Sequence, residues 1–449
     1  MLGCHLGRCF QVTVAGGSYQ EGLTAMLQGV PPGLLLSEQE IYGDLLLRKP
    51  GTDELSSPRK EPDLPVIYTG TNVDETVPGA QNKYHTNGTP LTILIPNLDR
   101  HLIHVQQYQD TNRTPRPGHA SYASFIKYGP DDDAIGAGFF SGRYSATIVA
   151  AGSVARKILR ACGIEVFAYV KELAGVRAGE IDHATALAQT SAYRTMRCAT
   201  DPFYQSLYVK GRLTPAMRFL QKMQVLAEVE NEIDDIRALA PELTTAQIRA
   251  RYGVHPVVNC PDADAAQAML EACTRVTRTG DSSGGVVEVI ALGVPAGLGE
   301  PVFEKLDAEL GRMLGIGAVK GVEVGAGFAV KDMTGSQTND EMRATDGRVE
   351  FLANHAGGIT GGLATGQPIV VRLAVKPTPT IDKPQRTIDK YTLANTQLAA
   401  ITRRDPTIVS RIWPVAESYT ALVLLDQLIL HHGYQALRAA VAASAEHKV

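Results

Sequence analysis

Glycine distribution is the feature that most constrains this chain. Among its 43 glycines, clusters stand at 16–22, 134–142, 280–299 and 357–366, and short β-rich runs flank these clusters: Cys9–Val14, Leu91–Ile95, Val286–Ile290, Ala318–Val324 and Ile369–Val375. Glycine interrupts regular elements and admits close backbone approach, so the pattern predicts short strands joined by tight loops. Helical patterns sit between them. Ala146–Leu159 is alanine-rich with one apolar side, Glu300–Leu314 carries apolar residues at helical spacing, and Ala416–Ala443 reads as one or two buried helices. The class predicted is a mixed α and β fold.

The 449 residues suffice for one large core or two to three smaller ones. A net charge of −4 gives no global attraction to nucleic acid or an anionic membrane. No apolar run reaches the roughly 18 residues of a membrane span, and the N-terminus does not read as a signal peptide. The six cysteines (4, 9, 162, 198, 260 and 273) show no CxxC spacing; reduced thiols in a cytoplasmic protein, with no metal site, are the expectation. Residues 178–255 read as a helical module between two β/α-rich parts. Within it Thr214–Ala240 bears an apolar stripe (Phe219, Met223, Leu226, Val229, Ile233, Ile236) and an acidic face that is most simply solvated. A packed excursion, a lid and an oligomer contact are all open for this module. The expected division is therefore 1–177, 178–255 and 256–449.

Several loops join glycine or proline to reactive side chains. In Arg116–Tyr122 (RPGHASY) a Pro-Gly turn presents Arg116 and His119 together, arginine suiting a carboxylate or phosphate and histidine suiting proton delivery. Ser141–Ala146 (SGRYSA) sets Arg143 just ahead of a helix, where backbone N–H groups favour anions. Asn354–Gly362 (NHAGGITGG) has the look of a phosphate-cradling loop, Lys376–Thr387 (KPTPTIDKPQRT) adds cations on a stiff loop, and Arg403–Pro406 (RRDP) sets Asp405 beside two arginines. Together these describe a site for a multiply anionic ligand, with His119 and Asp405 as acid/base candidates and no nucleophilic triad. P-loop, HExxH and strand-to-helix GxGxxG patterns are lacking.

The order of motifs resembles the chorismate synthase family over 3–178 and 255–435. The matching blocks are Gly29–Glu38 (GVPPGLLLSE), Arg48–Thr52 (RKPGT), Arg59–Asp63 (RKEPD), RPGHASY, Gly280–Leu310, Ala318–Phe328, NHAGGITGG, Gly366–Thr378, Lys383–Thr387 and Pro414–Ser418 (PVAES). The resemblance implies an α+β fold, a β-α-β sandwich with a helical layer between sheets, assembled as a homotetramer. It implies a lyase of aromatic biosynthesis that needs reduced FMN, with NADPH or another reductant acting indirectly. The reaction eliminates phosphate from 5-enolpyruvylshikimate 3-phosphate, an anionic cyclohexene acid, without net redox change.

Carried over by position, His119 matches the histidine near the leaving phosphate, and Asp405 the aspartate that acts with the flavin. Ser18 and Ser141 match active-site serines, and Tyr19 takes a catalytic histidine's place. Arg48, Arg116, Arg143 and Arg411 match anion-binding arginines. The stretch Asn354, His355, Ala356, Gly357 and Gly358, with Lys376, Thr378 and Thr380, falls where the family holds FMN. Departures accompany these matches. Family arginines are Leu47 and Phe139 here, a glutamate is Tyr144, a histidine is Arg404 and an aspartate is Ser121. Three readings follow: a lyase acting on a modified cyclohexene acid, the ordinary reaction with a relocated proton role, or a non-catalytic flavin- or metabolite-binding homologue.

Overall fold

In the computed structural model the described residues are 2–51, 55–56, 61–73, 83–98, 112–133, 135–210, 235–236, 239, 243–400 and 405–446. Among them, two five-stranded antiparallel sheets enclose a helical layer. The first sheet contains β1 (His5–Leu6), β2 (Gln11–Gly16), β3 (Gly22–Gln28), β4 (Val66–Thr69) and β5 (Leu91–Pro96), in the order β1-β2-β3-β5-β4. The second contains β6 (Glu165–Leu173), β7 (Val176–Arg177), β8 (Gly285–Leu292), β9 (Val319–Val324) and β10 (Ile369–Val375), in the order β7-β6-β8-β10-β9. Six helices matter for the site and its support: α1 (Glu38–Arg48), α2 (Ser121–Tyr128), α3 (Ser145–Ala161), α4 (His183–Thr200), α5 (Ala263–Arg278) and α6 (Val409–Glu446).

Strand burial follows from this layering. β3 buries alternate residues, Leu23, Ala25 and Leu27, because one face meets α3. β6 is buried almost continuously, since α6 covers it on one side and α4 and α5 contact it as well. The central helix α3 touches β3 and β5 of one sheet and β6 of the other, which makes the sandwich one packed unit across the helical layer. The α+β expectation holds. The helix expected over 300–314 is shorter, running from Leu306 to Gly311 with a 3-10 turn to Gly315. Pro301 precedes it, and Val302 and Phe303 are exposed rather than packed. The C-terminal helix is broken at Gly433 (φ 73°, ψ 162°), a left-handed φ that suits glycine.

Helix α3 crosses α6 at Gly152, where a Cβ would lie 2.2 Å from Ser418 Cβ and 2.6 Å from its Cα. Gly152→Ala is therefore expected to force the helices apart and cost about 1–3 kcal/mol, read as a lower Tm in calorimetry. Beside the crossing a buried ionic group joins distant segments. Arg156 pairs with Asp44 at 2.9 Å and with Glu417 at 2.7 Å, and Arg194 contacts the same two carboxylates. Burial favours the neutral form of Asp44, but Arg156 and Arg194 outweigh it and hold its pKa down to about 2.

Arg194 lies in the 178–255 segment, so the described part of that segment is tied into the helical layer. Tyr193 adds a hydrogen bond to the Val257 carbonyl (3.1 Å) and an edge contact to buried Trp413. Most of the Thr214–Ala240 stripe lies outside the described residues; of it Asp235, Ile236 and Leu239 are described, and Ile236 is buried. At the chain's other end, one carboxylate oxygen of Asp426 on α6 accepts the N–H groups of Arg8, Cys9 and Phe10 at 2.7–2.8 Å. No helix among the described residues is long and apolar enough to cross a membrane.

Candidate active site

Three groups of side chains receive the sequence-predicted residues. The first surrounds the loop between β2 and β3. Gly16 has φ +105°, and a Cβ there would sit 2.2 Å from the Gly22 carbonyl, so the turn requires glycine. Asn97 pins the loop: its Nδ2 donates to the Gly17 and Gln20 carbonyls (2.8 and 2.7 Å), and its own N–H donates to Glu21 (3.0 Å). Ser18 is buried, and Ser141 Oγ donates to its Oγ at 3.3 Å. The two predicted serines therefore meet. Tyr19, next along, is half-buried.

Behind this loop lies a compact ionic cluster. Arg143 Nε donates to Asn97 Oδ1 (2.9 Å), its Nη1 pairs with Asp63, and its Nη2 is 3.7 Å from Glu61. Arg48 reaches the other oxygen of Asp63 at 2.9 Å. Both arginines are 4% exposed, and Asp63 is fully buried with a left-handed φ of 56°. Such a backbone at a non-glycine residue is a strained conformation that its surroundings must enforce. Two cations thus face two carboxylates, and the formal charge of the four is zero. Leu47, which stands at a family arginine's position, is 4% exposed and belongs to the hydrophobic core. Leu45, Leu46, Leu47 and Arg48 are all buried on the last turn of α1, so leucine in place of arginine sets apolar area rather than a charge in the core.

Two other departures touch each other. The Phe139 and Tyr144 rings stack at a tilt, 4.5 Å between centroids. Tyr144 also donates its O–H to the Gly16 carbonyl. Burial first, then Asp133 and Cys4, push the phenol up to about 12, so it keeps its proton. Since the resemblance sets arginine at 139 and glutamate at 144, the exchange of both leaves the local formal charge unchanged.

The second group gathers around the segment that follows β10. Lys376 Nζ donates to the Gly118 carbonyl, Arg116 Nη1 to Thr380 Oγ1 at 3.4 Å, and Thr378 Oγ1 to the Asp405 carbonyl at 2.7 Å. Asp405 pairs with Arg411, and Ser282 Oγ holds the Thr378 carbonyl at 2.7 Å. His119 sits on the turn before α2, its N–H bonded to the Arg116 carbonyl at 3.2 Å. Its Nδ1 is buried and has no hydrogen-bond partner among the described residues. Burial, then Arg116 and Lys376, lower the imidazole to about 4, leaving it neutral at pH 7. Arg116, His119, Lys376, Thr378, Thr380, Asp405 and Arg411 are thus linked, while Arg403 and Arg404 lie outside the described residues.

The third group is the glycine loop 354–358. Its amides do not form an open cradle. Asp340 accepts the N–H groups of His355 and Ala356 (2.6 and 2.9 Å), and Asn354 accepts those of Gly357 through its carbonyl (3.2 Å) and Gly358 through Oδ1 (2.7 Å). Gly357 packs directly on Gly325, where a Cβ on either would come within 2.4 Å of the other's backbone. The loop offers a rigid wall rather than free donors. Asp340, Asn97, Glu61 and Asp63 were not singled out individually in the sequence. Glu61 and Asp63 fall within the RKEPD block, which was the one signal pointing to them.

An anionic aromatic cofactor with a phosphate tail fits the second group better than the third. Lys376 and Arg116 supply cations, Thr380 a hydroxyl, and His119 Nδ1 an unmatched buried polar atom. The glycine wall gives close approach without side-chain bulk. Among the described residues no group of three or more His, Cys, Asp or Glu side chains is arranged to hold a metal ion.

Comparison with known proteins gives one consistent answer. The family model described as chorismate synthase matches residues 10–429. A chorismate synthase of Acetivibrio thermocellus is 37% identical over 454 residues, covering 97% of each chain. One from Methanocella arvoryzae is 37% identical over 430 residues (96% of this chain, 95% of the relative), and one from Pyrococcus abyssi is 34% identical (96% and 98%). A solved structure titled "Crystal Structure of Chorismate Synthase" superposes with a TM-score of 0.62 at 24% identity, covering 98% of this chain and 99% of that one. That likeness bears on the fold.

Proposed function

Because this chain belongs to the chorismate synthase family, we propose that it is a reduced-FMN-dependent carbon–oxygen lyase. It removes phosphate or a related leaving group from a shikimate-type cyclohexene acid by 1,4-elimination. The observation that carries the reading is the linked set His119, Arg116, Lys376, Thr380, Asp405 and Arg411, which combines cations with a half-buried neutral imidazole. Held by these residues, FMN would supply transient electron density for the breaking bonds, with no net redox change.

The protein's own residues do the rest. Arg116 and Lys376 neutralise substrate or cofactor anions. His119 takes a proton as a dianionic ester offsets the neighbouring cations, and passes it to the departing oxyanion. Asp405, oriented by Arg411, is the acid/base group on the flavin side. Ser18 and Ser141 hold the loop that carries Tyr19, and Arg48 and Arg143 act through Asp63 and Asn97 on that same loop. Asn354 to Gly358 form the cofactor's wall, with Lys376, Thr378 and Thr380 along its edge. The assembly proposed is a cytoplasmic homotetramer, and the proposed division remains a core of 1–177 and 256–449 bearing the 178–255 segment.

One observation bears on the rate with the ordinary substrate. Tyr19 stands where the resemblance calls for histidine, and a phenol with a pKa near 10 donates hydrogen bonds but cycles protons poorly at pH 7. Anaerobic mixing with reduced FMN and 5-enolpyruvylshikimate 3-phosphate, followed by chorismate absorbance, decides the matter. Cofactor binding is expected, with turnover about 10²–10⁴-fold below an enzyme that keeps the general acid. Tyr19→His is expected to recover part of that loss. Absence of FMN binding overturns the enzyme reading in favour of a non-catalytic homologue. Fast turnover by the unaltered protein assigns the ordinary reaction.

A further inference from the structure

Three tethers hold the loop between β2 and β3, and all lead back to residues 141–144. Ser141 Oγ meets Ser18 Oγ at 3.3 Å, and Arg143 orients Asn97, which binds the Gly17 and Gln20 carbonyls. The third is the Tyr144 O–H on the Gly16 carbonyl. Ser141 and Arg143 keep the residue types that the family resemblance expects, whereas Tyr144 departs from them. A glutamate at 144 is an acceptor only when ionised and cannot donate to a carbonyl. The exchange therefore creates a bond that the expected residue would not make. Phe139, stacked at 4.5 Å, braces the ring, and it too departs from the expected type. The loop so held carries Tyr19, a third departure.

We propose that Tyr144, braced by Phe139, is a positioning residue that seats the Ser18–Tyr19 loop, so that the departures at 19, 139 and 144 act as one set. The significance of this seating for catalysis rests on the lyase reading above, but the seating itself does not. Tyr144 touches neither substrate nor cofactor in this scheme. It fixes where the backbone at 16–19 stands, and through it where the side chain at 19 begins. A histidine restored at 19 alone would be mounted on a loop seated for tyrosine.

The test removes one oxygen. Tyr144→Phe keeps the ring and its stacking on Phe139, and Phe139→Leu keeps the O–H while removing the brace. Hydrogen–deuterium exchange followed by mass spectrometry reads the peptide spanning 16–21. Tyr144→Phe is expected to speed exchange there about fivefold, the change that one hydrogen bond of about 1 kcal/mol converts to, with α3 protected as before. Phe139→Leu is expected to give a smaller change at the same amides. In anaerobic turnover of 5-enolpyruvylshikimate 3-phosphate, kcat falls in Tyr144→Phe while KM holds, which a general loss of stability would not produce. Unchanged exchange over 16–21 in Tyr144→Phe overturns the proposal, whatever the activity. Accelerated exchange in a protein that neither binds reduced FMN nor turns over sustains the seating and removes the lyase reading instead.

Discussion

Asp63→Ala is expected to lower the unfolding free energy by about 3–5 kcal/mol, the cost of removing one partner from a buried ionic group. The size follows from the surroundings. Asp63 is fully buried, pairs with Arg48 at 2.9 Å and contacts Arg143 with its other oxygen. Both guanidiniums are themselves buried, so water cannot replace the lost carboxylate. Alanine also fits the left-handed φ of 56° less well than aspartate or asparagine. Asp63→Asn separates the two causes, since it retains an acceptor and tolerates the backbone. Urea unfolding of the two variants beside the parent is expected to rank parent, Asp63→Asn, then Asp63→Ala. Because Arg143 orients Asn97, and Asn97 holds Gly17 and Gln20, the loop at Ser18 is expected to loosen in the same order.

Replacing His119 by glutamine is expected to reduce kcat by about 10²–10⁴-fold, the range for loss of a general acid. Anaerobic single-turnover measurements with reduced FMN are the check. The free imidazole is lowered to about 4 by burial and by Arg116 and Lys376, so it must gain its proton after the ligand's negative charge arrives. An NMR titration of His119 is expected to find a value near 4 in the free protein and a rise on adding inorganic phosphate. A stability consequence follows. The folded protein binds fewer protons at this site than the unfolded chain between pH 6.5, the ordinary histidine value, and about 4. The contribution is complete above pH 6.5 and is lost as pH falls through that window. In His119→Gln that part of the acid sensitivity is expected to vanish.

The fold was legible where local pattern and burial agree. Strands at 285–292, 319–324 and 369–375 are rich in β-branched residues, and each lies close to the stretch expected. The helix at 145–161 is legible for a similar reason, since its apolar face meets both sheets. Over 300–305 the apolar periodicity misled, because Val302 and Phe303 point to solvent ahead of a helix that starts at Leu306. Within the candidate site, glycine spacing at 354–362 suggested free amides, yet it carries no information on where Asp340 lies. The partnership of Arg143 with Asp63 spans 80 residues, and no local signal encodes it. Leu47 stands at a family arginine's position, and only the packing of the last turn of α1, buried from Leu45 to Arg48, reveals that it joins the core.

The Asp426 carboxylate has a consequence for biosynthesis. It accepts three successive backbone amides at Arg8, Cys9 and Phe10, and Phe10 precedes it by 416 residues. A nascent chain therefore carries the opening of its first sheet, with those donors unmatched by protein, until the last long helix leaves the ribosome. Helix α6 also packs on β6 and β8 of the second sheet, so that sheet does not gain its complete inner covering earlier. Translation pauses ahead of α6 are expected to prolong exposure of the second sheet's apolar face, and chaperone capture is expected to concentrate on chains stalled there.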